Sequence, residues 1–178
     1  MKVVLHICCG VCAAGAIEAL SGEGHHVIGF FYNPNIHPAE EYQRRLETAR
    51  RVARELKFQL EAPAYEPDEW LRQTNCWQDE PEGGKRCQVC YRLRLEKTYD
   101  YMVSCGADAF TTTLTISPHK SAQAINKIGH EIGGEKFLKR DFKKKDGFKR
   151  AVQLARQWEL YRQDYCGCIY SLKPSARP

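Results

Sequence analysis

The sequence predicts an α/β fold, a single domain built around a largely parallel sheet. A length of 178 residues suits one domain of ordinary size. Short apolar segments rich in β-branched residues alternate along it with longer amphipathic segments, and strands that alternate with helices form parallel sheets. We therefore expect one Rossmann-like domain over residues 1–178, of which residues 162–178 form a C-terminal segment of turns.

The first quarter of the chain contains two strands and two helices by this pattern. Val3–Ile7 is a buried strand, because four of its five residues are apolar and three are β-branched. Ala13–Leu20 is helical, and Val27–Tyr32 is a second strand that ends at Asn33-Pro34. Pro38–Leu56 is a charged helix whose apolar residues recur every three or four positions.

The middle of the chain continues the alternation. Phe58–Ala62 is a short strand, and Pro67–Gln73 is a short helix that opens with proline. Polar residues, proline and glycine predict a loop over Thr74–Lys85. A helix fits Cys87–Ser104.

Four more elements follow to residue 159. Ala109–Leu114 is a strand of Phe and Thr. Ser117-Pro118 is expected to begin a helix that reaches Ile132, with serine as N-cap and proline at the first helical position. Lys136–Asp141 is a predicted strand, and Phe148–Glu159 is a predicted helix.

Unusual residues follow the predicted strands at their carboxyl ends, where parallel sheets carry their sites. Cys8, Cys9 and Cys12 come directly after the first strand, and Asn33 follows the second. Thr115–Lys120 follow a later strand. We therefore expect a metal site at this edge of the sheet.

Composition excludes several classes of protein. A hydrophobic share of 43% with 28% charged residues is typical of a soluble globule and excludes a disordered chain. The longest apolar run, Val27–Phe31, is far shorter than the ~18 residues of a membrane helix. The N-terminus lacks the apolar core of a signal peptide. We expect a cytoplasmic protein with no membrane partner.

Nine cysteines point to sulfur chemistry. In a reducing compartment, cysteines at this density are more often metal ligands or redox catalysts than disulfide partners. Cys8, Cys9 and Cys12 lie beside a predicted helix N-terminus, which lowers thiol pKa values and favours thiolate ligands. Cys12 could equally pack as a small apolar residue.

Cys87-x-x-Cys90 is the second cysteine motif. It follows a loop instead of a strand, which favours metal ligation over a thioredoxin-like redox pair. Four flanking cations would offset thiolate charge: Lys85, Arg86, Arg92 and Arg94.

Cys166-Gly167-Cys168 is the third motif, and it suits either a labile redox disulfide or metal ligation. Spacing alone separates zinc from iron–sulfur poorly. Because the adjacent pair Cys8-Cys9 is not a zinc knuckle, iron–sulfur is favoured.

Residues 136–150 concentrate positive charge. They hold eight Lys or Arg and two Asp, for a local charge of +6 against +5 in the whole chain. Such a patch suits the phosphate backbone of a nucleic acid, although charge runs are commonly only solvated faces. We expect phosphate contacts from five residues: Lys143, Lys144, Lys145, Lys149 and Arg150. Five aromatic residues could stack an unpaired base: Trp77, Tyr91, Phe142, Phe148 and Tyr165.

Five groups of residues, in one order, resemble a known family. They are Ile7–Ala13, Tyr32–Pro38, Arg86–Tyr91, Thr112–Leu114 with Ser117–Lys120, and Leu160–Gln163 with Tyr165–Ser171. Together they resemble the cobalamin-independent epoxyqueuosine reductases of the QueH type. The resemblance spans residues 3–171.

The resemblance implies the last step of queuosine biosynthesis, the two-electron reduction of epoxyqueuosine to queuosine in the anticodon loop of tRNA. It implies a [4Fe-4S] cluster on four cysteines: Cys8, Cys9, Cys87 and Cys90. Cys166 and Cys168 would be redox-active, and an additional iron would lie near the cluster with Cys12 as a candidate ligand. The family needs no cobalamin but needs an external electron donor. His119 and Tyr165 are candidate proton donors.

Three other interpretations remain open at this point. A structural zinc site with four cysteine ligands, in an RNA-binding protein without redox chemistry, would give a colourless protein that folds only with zinc. A thiol–disulfide oxidoreductase would account for the terminal Cys-x-Cys but leave the other cysteines idle. An ATP-dependent tRNA-modifying enzyme needs a phosphate-binding loop of glycines and serines, and Cys8–Val11 offers one glycine.

Overall fold

A four-stranded parallel sheet forms the centre of the fold in the computed structural model, which describes residues 1–172. Its strands are β1 (Lys2–His6), β2 (His26–Phe30), β3 (Gln59–Glu61) and β4 (Ala109–Thr112). They lie in the order β3-β2-β1-β4. Val4 of β1 pairs with Ile28 on one side and with Phe110 on the other. The predicted α/β fold with a parallel sheet is confirmed.

Within residues 1–172, six helices cover the two faces of the sheet. They are α1 (Gly10–Gly22), α2 (Ala39–Glu55), α3 (Pro67–Thr74), α4 (Lys85–Ser104), α5 (Ala122–Gly133) and α6 (Gly147–Gln157). Helices α1, α2 and α6 pack on one face, and α3, α4 and α5 pack on the other. Within residues 1–172, none of the helices has the length and apolarity needed to cross a bilayer.

Strand β1 is buried on both faces, which explains its nearly continuous apolar sequence. Leu5 and Ile7 enter the core beneath α1 and α2, whereas Val4 enters the core beneath α4 and α5. The strand therefore ends in the middle of the molecule. The residues that follow it are held between the two helical layers.

The predicted start of the fifth helix is wrong. Ser117 closes a 3-10 turn (Thr113–Ile116), because its amide donates to the Leu114 carbonyl at 3.4 Å. The helix begins at Ala122 instead, and the Ser121 hydroxyl accepts from the Ala124 amide at 3.2 Å as its N-cap. Residues 117–120 consequently form an open turn at the rim of the sheet.

The predicted strand at Lys136–Asp141 is also wrong. Phe137 makes one isolated bridge to Phe110, and the Leu138 amide donates to the Phe110 carbonyl at 2.9 Å. The segment leaves the sheet after these contacts, since its following residues are cations that cannot be buried beside β4. Of the C-terminal segment predicted at 162–178, residues 162–172 form turns, with a 3-10 turn at Ile169–Ser171, and residues 173–178 lie outside the described part.

Candidate metal and redox site

Three cysteine thiols converge where β1 runs into α1. The Sγ atoms of Cys8, Cys9 and Cys12 all lie within 4.8 Å of one another, and those of Cys8 and Cys9 are 3.9 Å apart. A tetrahedral ion with metal–sulfur bonds of about 2.3 Å holds its sulfurs about 3.8 Å apart. The three thiols are therefore arranged as metal ligands, at the edge of the sheet where the sequence predicted them.

The backbone places these thiols without strain. Cys9 is the N-cap of α1, and its Sγ accepts a hydrogen bond from the Cys12 amide at 3.4 Å. Gly10 begins the helix against α2, where a Cβ atom would lie 2.6 Å from the methyl group of Thr48. Glycine at this position lets the helix start directly after the two adjacent thiols.

The group divides into one acidic and two weakly acidic thiols. Hydrogen bonds from Cys12 and Cys9, with the charge of Arg94 and the hydroxyl of Thr113, hold the pKa of Cys8 well below its usual range against the effect of burial. For Cys9, the hydrogen bond from Cys12 lowers the pKa, but the bond to Cys8 and burial outweigh it and raise the pKa to about 12. Hydrogen bonds to Cys8 and Cys9 raise the pKa of Cys12. A metal that bound all three sulfurs as thiolates would therefore have to displace the protons of Cys9 and Cys12, the two less acidic thiols.

A buried guanidinium faces this group from α4. Arg94 is 2% exposed; its Nη2 donates to Asn33 Oδ1 at 2.6 Å, and its Nη1 lies 3.9 Å from Cys90 Sγ. Within residues 1–172, no carboxylate forms an ion pair with Arg94. Because a buried cation is costly without a counter-charge, the surrounding sulfurs are the groups that can compensate it. This edge of the sheet, with the cysteines that surround Arg94, is termed the rim below. It is therefore suited to anionic sulfur.

His6, the last residue of β1, completes this network as a neutral group. Its Nε2 lies 3.1 Å from the Tyr32 carbonyl oxygen and 3.3 Å from Arg94 Nε, and its Nδ1 lies 2.9 Å from Thr112 Oγ1. Burial and the charge of Arg94 lower the pKa of His6 to about 3. The imidazole serves as an uncharged support for the guanidinium.

Cys87 and Cys90 lie in the first two turns of α4, outside the three-thiol group. The Gly83 amide donates to Cys87 Sγ at 3.2 Å, and burial raises the pKa of both thiols. Cys8 packs against the apolar cluster that contains both cysteines. The charge of Arg94 acts on both parts of the rim. It lowers the pKa of Cys8, and it offsets part of the rise that burial causes in the pKa of Cys90.

The other predicted counter-cations have different roles. Arg86 Nη1 donates to the carbonyl groups of residues 77, 78 and 80, and its charge also acts on Cys87. Lys85 lies over the ring of Trp77 at 4.9 Å, and Arg92 pairs with Glu131. Of the four cations flanking the second motif, Arg94 is therefore the one whose charge acts on thiols of both the first and the second motif.

The terminal cysteine pair, Cys166 and Cys168, reaches the same rim as two free thiols. A hydrogen bond from Cys168, with the charges of Lys120, Arg94 and Arg45, holds the pKa of Cys166 well below its usual range despite burial. The same hydrogen bond and burial raise the pKa of Cys168. Cys166 is thus the more acidic thiol of the pair, and Cys168 donates a hydrogen bond to it.

Main-chain contacts hold the segment that carries this pair. Arg45 of α2, whose Nε lies 2.6 Å from Glu41 Oε1, donates to the carbonyls of Tyr165 at 3.2 Å and Cys166 at 3.0 Å. The His37 amide donates to the Gly167 carbonyl at 2.7 Å. Gly167 has φ 111°, and a Cβ atom there would lie 2.9 Å from the guanidinium of Arg45. Glycine between the two cysteines is required on both counts.

Two cavities meet at Cys166. The larger, of about 380 Å³, is lined by Cys8, Cys12 and Cys166, and the smaller, of about 220 Å³, is lined by Cys87 and the terminal cysteine pair. Glu82 and Cys166 line both. Each of the three cysteine motifs of the sequence therefore contributes to the lining of these two cavities, while Cys76 is exposed in a separate 3-10 turn (Asn75–Trp77).

Groups that can carry protons also line the larger cavity. Burial disfavours the charged form of Lys120, but the neighbouring Cys166 thiolate outweighs this and raises the pKa of Lys120. His119 is exposed in the same wall. The Tyr165 hydroxyl donates to the His37 carbonyl, and burial raises the pKa of Tyr165 to about 12. Tyr165 is thus held in a structural contact. Lys120 is the cation whose charge lowers the pKa of Cys166 most.

Two of the five predicted phosphate contacts are engaged within the protein. Arg150 forms two hydrogen bonds with Glu18, at 2.8 and 2.7 Å. Lys143 Nζ lies 3.0–3.5 Å from three main-chain carbonyl groups, those of Thr115, Ser117 and Lys120. Lys143 consequently fixes the turn that forms a wall of the larger cavity.

The remaining three, which we term the exposed lysine triad (Lys144, Lys145 and Lys149), face solvent. Their ammonium groups have no ion-pair or hydrogen-bond partner in the part of the chain that the structure describes. Phe148, 37% exposed, lies beside Lys149 and lines the larger cavity. Of the aromatic residues predicted to stack a base, Phe148 is therefore well placed, whereas Phe142 and Tyr91 are buried in the cores.

Some residues of the site have no clear signal in the sequence. Arg45 and Glu41 hold the terminal segment, and their four-residue spacing is equally typical of an exposed helical ion pair. Asn35, which lines the larger cavity, lies within a group of residues that carries the family resemblance but has no distinguishing spacing of its own.

Comparisons with known proteins show the family to which the chain belongs. The family described as "Epoxyqueuosine reductase QueH" matches residues 3–174. A protein of that name from Streptococcus pyogenes serotype M1 is 39% identical over 182 residues, which cover 97% of this chain and 71% of the relative. Another, from Thermotoga maritima, is 35% identical and covers 96% of this chain and 90% of its own length.

Two solved structures share the fold. The U34-tRNA thiolase NcsA from Methanococcus maripaludis, solved with its [4Fe-4S] cluster, has a TM-score of 0.62 at 18% identity; the match covers 97% of this chain and 62% of that one. A predicted subunit of a tRNA methyltransferase from Methanocaldococcus jannaschii has a TM-score of 0.56 at 13% identity, covering 88% and 74%. At these identities the likeness concerns the fold alone.

Proposed function

Because the chain belongs to the epoxyqueuosine reductase QueH family, we propose that it reduces epoxyqueuosine to queuosine in tRNA. The epoxide takes up two electrons and two protons; both of its carbon–oxygen bonds break, an alkene forms, and the oxygen leaves as water. One observation supports this beyond family membership: thiols of all three cysteine motifs line two neighbouring cavities, beside a buried Arg94 that has no carboxylate partner within residues 1–172.

The donor set fits an iron–sulfur cluster. Such clusters are held by thiolates, and the rim offers five sulfur ligands: Cys8, Cys9, Cys12, Cys87 and Cys90. We assign a [4Fe-4S] cluster to the first two and the last two, and an additional iron beside it to Cys12, with no role for cobalamin. When bound, these groups would supply low-potential electrons and a Lewis acid for the epoxide oxygen.

The grouping of Cys12 with Cys8 and Cys9 within 4.8 Å allows a second ligand set, in which Cys12 replaces a cysteine of α4. Iron and sulfide analysis of Cys12→Ser and Cys90→Ser distinguishes the two sets. Loss of all iron in Cys90→Ser but only part of it in Cys12→Ser supports our assignment. The reverse pattern supports the second set.

The terminal cysteine pair supplies the reducing equivalents in this proposal. With Cys166 as a thiolate, oxidation of the pair to a disulfide releases two electrons and one proton, and the Lys120 ammonium group supplies the second proton that the epoxide requires. Lys120, as an ammonium group in the same cavity, can deliver a proton to the departing oxygen. An external electron donor then reduces the disulfide for the next turnover.

The exposed lysine triad and Phe148 suit the tRNA. Lysines without internal partners are free to contact phosphates, and an exposed aromatic ring at the cavity can stack on an unpaired base of the anticodon loop. We therefore place the RNA along residues 144–149, with the modified base entering the larger cavity.

The experiment is anaerobic purification followed by iron, zinc and acid-labile sulfide analysis, and then incubation with tRNA carrying epoxyqueuosine and a chemical reductant. We expect a brown protein and a nucleoside that has lost one oxygen atom by mass spectrometry. Cys76→Ser, which changes an exposed cysteine outside the site, is the matched control and should remain active. Stoichiometric zinc without sulfide after reconstitution with iron, and an unchanged nucleoside, would instead identify an RNA-binding zinc protein.

A further inference from the structure

Trp70 is buried in the helical layer that carries Cys87 and Cys90, and its indole N–H is unpaired. The side chain is 1% exposed and packs in the same apolar cluster as these two cysteines of α4. Its Nε1 has no hydrogen-bond partner of full geometry among residues 1–172. An indole N–H is a donor only, and a buried tryptophan normally provides an acceptor for it. The group that this N–H faces therefore decides its role.

The indole ring of Trp70 is fixed by contacts that do not use its N–H. It packs against two other rings, that of His37 at 5.6 Å and that of Tyr170 at 5.8 Å between centroids. His37 is not the acceptor, since its own Nε2 is unpaired among the described residues. The main chain is held as well, because the Thr74 hydroxyl donates to the Trp70 carbonyl at 2.8 Å. The orientation of the N–H is thus set by packing.

Cys90 is the acceptor that the indole faces. Burial raises the pKa of the Cys90 thiol, and the charge of Arg94 and the donor of Trp70 oppose this rise. A neutral thiol is a weak acceptor, whereas hydrogen bonds to an ionised group are roughly twice as strong as neutral ones. The contact between Trp70 and Cys90 therefore strengthens when the sulfur of Cys90 binds a metal as a thiolate.

Trp70 differs from the other donors near the α4 cysteines. Cys87 accepts from a main-chain amide, that of Gly83, at 3.2 Å. Arg94 Nη1 lies 3.9 Å from Cys90 Sγ, but the same guanidinium also donates to Asn33. Trp70 Nε1 has no such second partner within residues 1–172. It is the side-chain donor available to Cys90 alone.

We propose that the Trp70 N–H donates to the sulfur of Cys90 when Cys90 holds the cluster and thereby raises the reduction potential of the cluster, an inference that rests on the proposed function. Hydrogen bonds to the sulfurs are among the factors that set such potentials. Reduction adds a negative charge to the cluster and its ligands, so a donor at a ligand sulfur stabilises the reduced form more than the oxidised form. Trp70 lines neither cavity and acts on the chemistry through Cys90, as a positioning residue.

The test is a redox titration of the anaerobically reconstituted protein, followed by electron paramagnetic resonance of the reduced cluster. Trp70→Phe keeps an aromatic ring in the core and removes the N–H. At a fixed potential, we expect the ratio of reduced to oxidised cluster to fall roughly three- to tenfold. This is a decrease of about 30–60 mV in midpoint potential, at about 59 mV per tenfold for one electron. Trp158→Phe, the matched control, changes an indole packed against the core on the other face of the sheet and should leave the potential unchanged.

An unchanged or higher potential in Trp70→Phe with full iron content overturns the proposal, and so does an equal decrease in Trp158→Phe. If Trp70→Phe does not fold, tryptophan isotopically labelled at the indole nitrogen gives the same test without changing Trp70. The labelled protein carries Trp77→Phe, which removes the indole beneath Lys85 of α4. Electron nuclear double resonance of the reduced cluster should then show a hyperfine coupling to the labelled nitrogen. Absence of that coupling overturns the proposal.

Reduction of epoxyqueuosine tRNA, measured in parallel, separates this role of Trp70 from the proposed function. Turnover by the wild-type protein with a potential that is insensitive to Trp70→Phe removes the role of Trp70 alone. A potential that shifts as expected in a protein without turnover removes the proposed function alone. Stoichiometric zinc without sulfide removes both.

Discussion

Replacing Arg94 with methionine tests whether the buried guanidinium holds the cysteine rim together. The substitution keeps most of the side-chain length and removes the charge and all five donors. It leaves the buried Asn33 Oδ1, which accepts from the guanidinium at 2.6 Å, without its donor, and it removes the contact of Arg94 Nε with His6 Nε2 at 3.3 Å. Removing one partner from a buried charged network costs about 3–5 kcal/mol. Since about 1 kcal/mol shifts the midpoint of a chain of this size by about 2–4 °C, we expect a fall of about 6–20 °C.

Urea and thermal unfolding under anaerobic, reducing conditions, followed by circular dichroism, measure this loss. Arg92→Met is the matched control, because Arg92 lies on the same helix in an exposed pair with Glu131 and should cost no more than about 1 kcal/mol. Arg94→Lys keeps the charge without the planar fork and should lie between the two. If Arg94→Met lowers the free energy of unfolding no more than Arg92→Met does, the guanidinium does not hold the rim and our reasoning is refuted.

Three further predictions address the RNA, the cysteines and the acid response. Changing the exposed lysine triad to glutamine should weaken tRNA binding and reduce the slope of log affinity against log salt by up to about 2.7. Lys143→Gln, the control, should lower thermal stability instead. An unchanged slope in filter binding would show that the triad does not contact the RNA. Serine at both positions of the terminal cysteine pair should stop turnover and leave the iron content intact, whereas Cys8→Ser should lose iron; equal iron loss in both would contradict this division of roles. Stability should fall as pH drops from 6.5 toward about 3, because unfolded His6 binds a proton that the folded protein excludes. The loss is about 1.4 kcal/mol of unfolding free energy per pH unit. Urea titrations at several pH values should show that the unfolding free energy of His6→Gln depends less steeply on pH. An equal slope in the variant and the wild type would argue against a buried neutral imidazole.

The sequence was sufficient for the four strands of the sheet because the information is local, although it also predicted a further strand at Lys136–Asp141 that does not form. Strand β1 is apolar on both faces, and α2 shows a clear helical period, so both could be predicted without tertiary contacts. The start of α5 depends on a distant residue. Ser117 and Ser121 are both suitable N-caps, and the ammonium group of Lys143 binds the carbonyls of the turn between them. The spacing of residues within 117–132 therefore gives no information about the contact with Lys143.

The cysteine motifs were predictable, whereas the charges around them were not. Adjacent and closely spaced cysteines identify ligands by their chemistry alone. Which nearby cation faces them depends on the rotation of α4, which turns Arg94 inward and Arg92 toward Glu131. The charge run at 136–150 has the same limitation, since Lys143 and Arg150 are bound within the protein and the exposed lysine triad is not. Packing thus decides which of several neighbouring cations bind within the protein and which remain exposed to solvent.

The terminal cysteine pair is held by its main chain, through the carbonyls of Tyr165, Cys166 and Gly167, and neither thiol takes part in that attachment. A change between dithiol and disulfide can therefore occur while these main-chain contacts stay in place. In the proposed function, this attachment keeps the segment in position through repeated oxidation and reduction, so that the substrate cavity beside it keeps its shape.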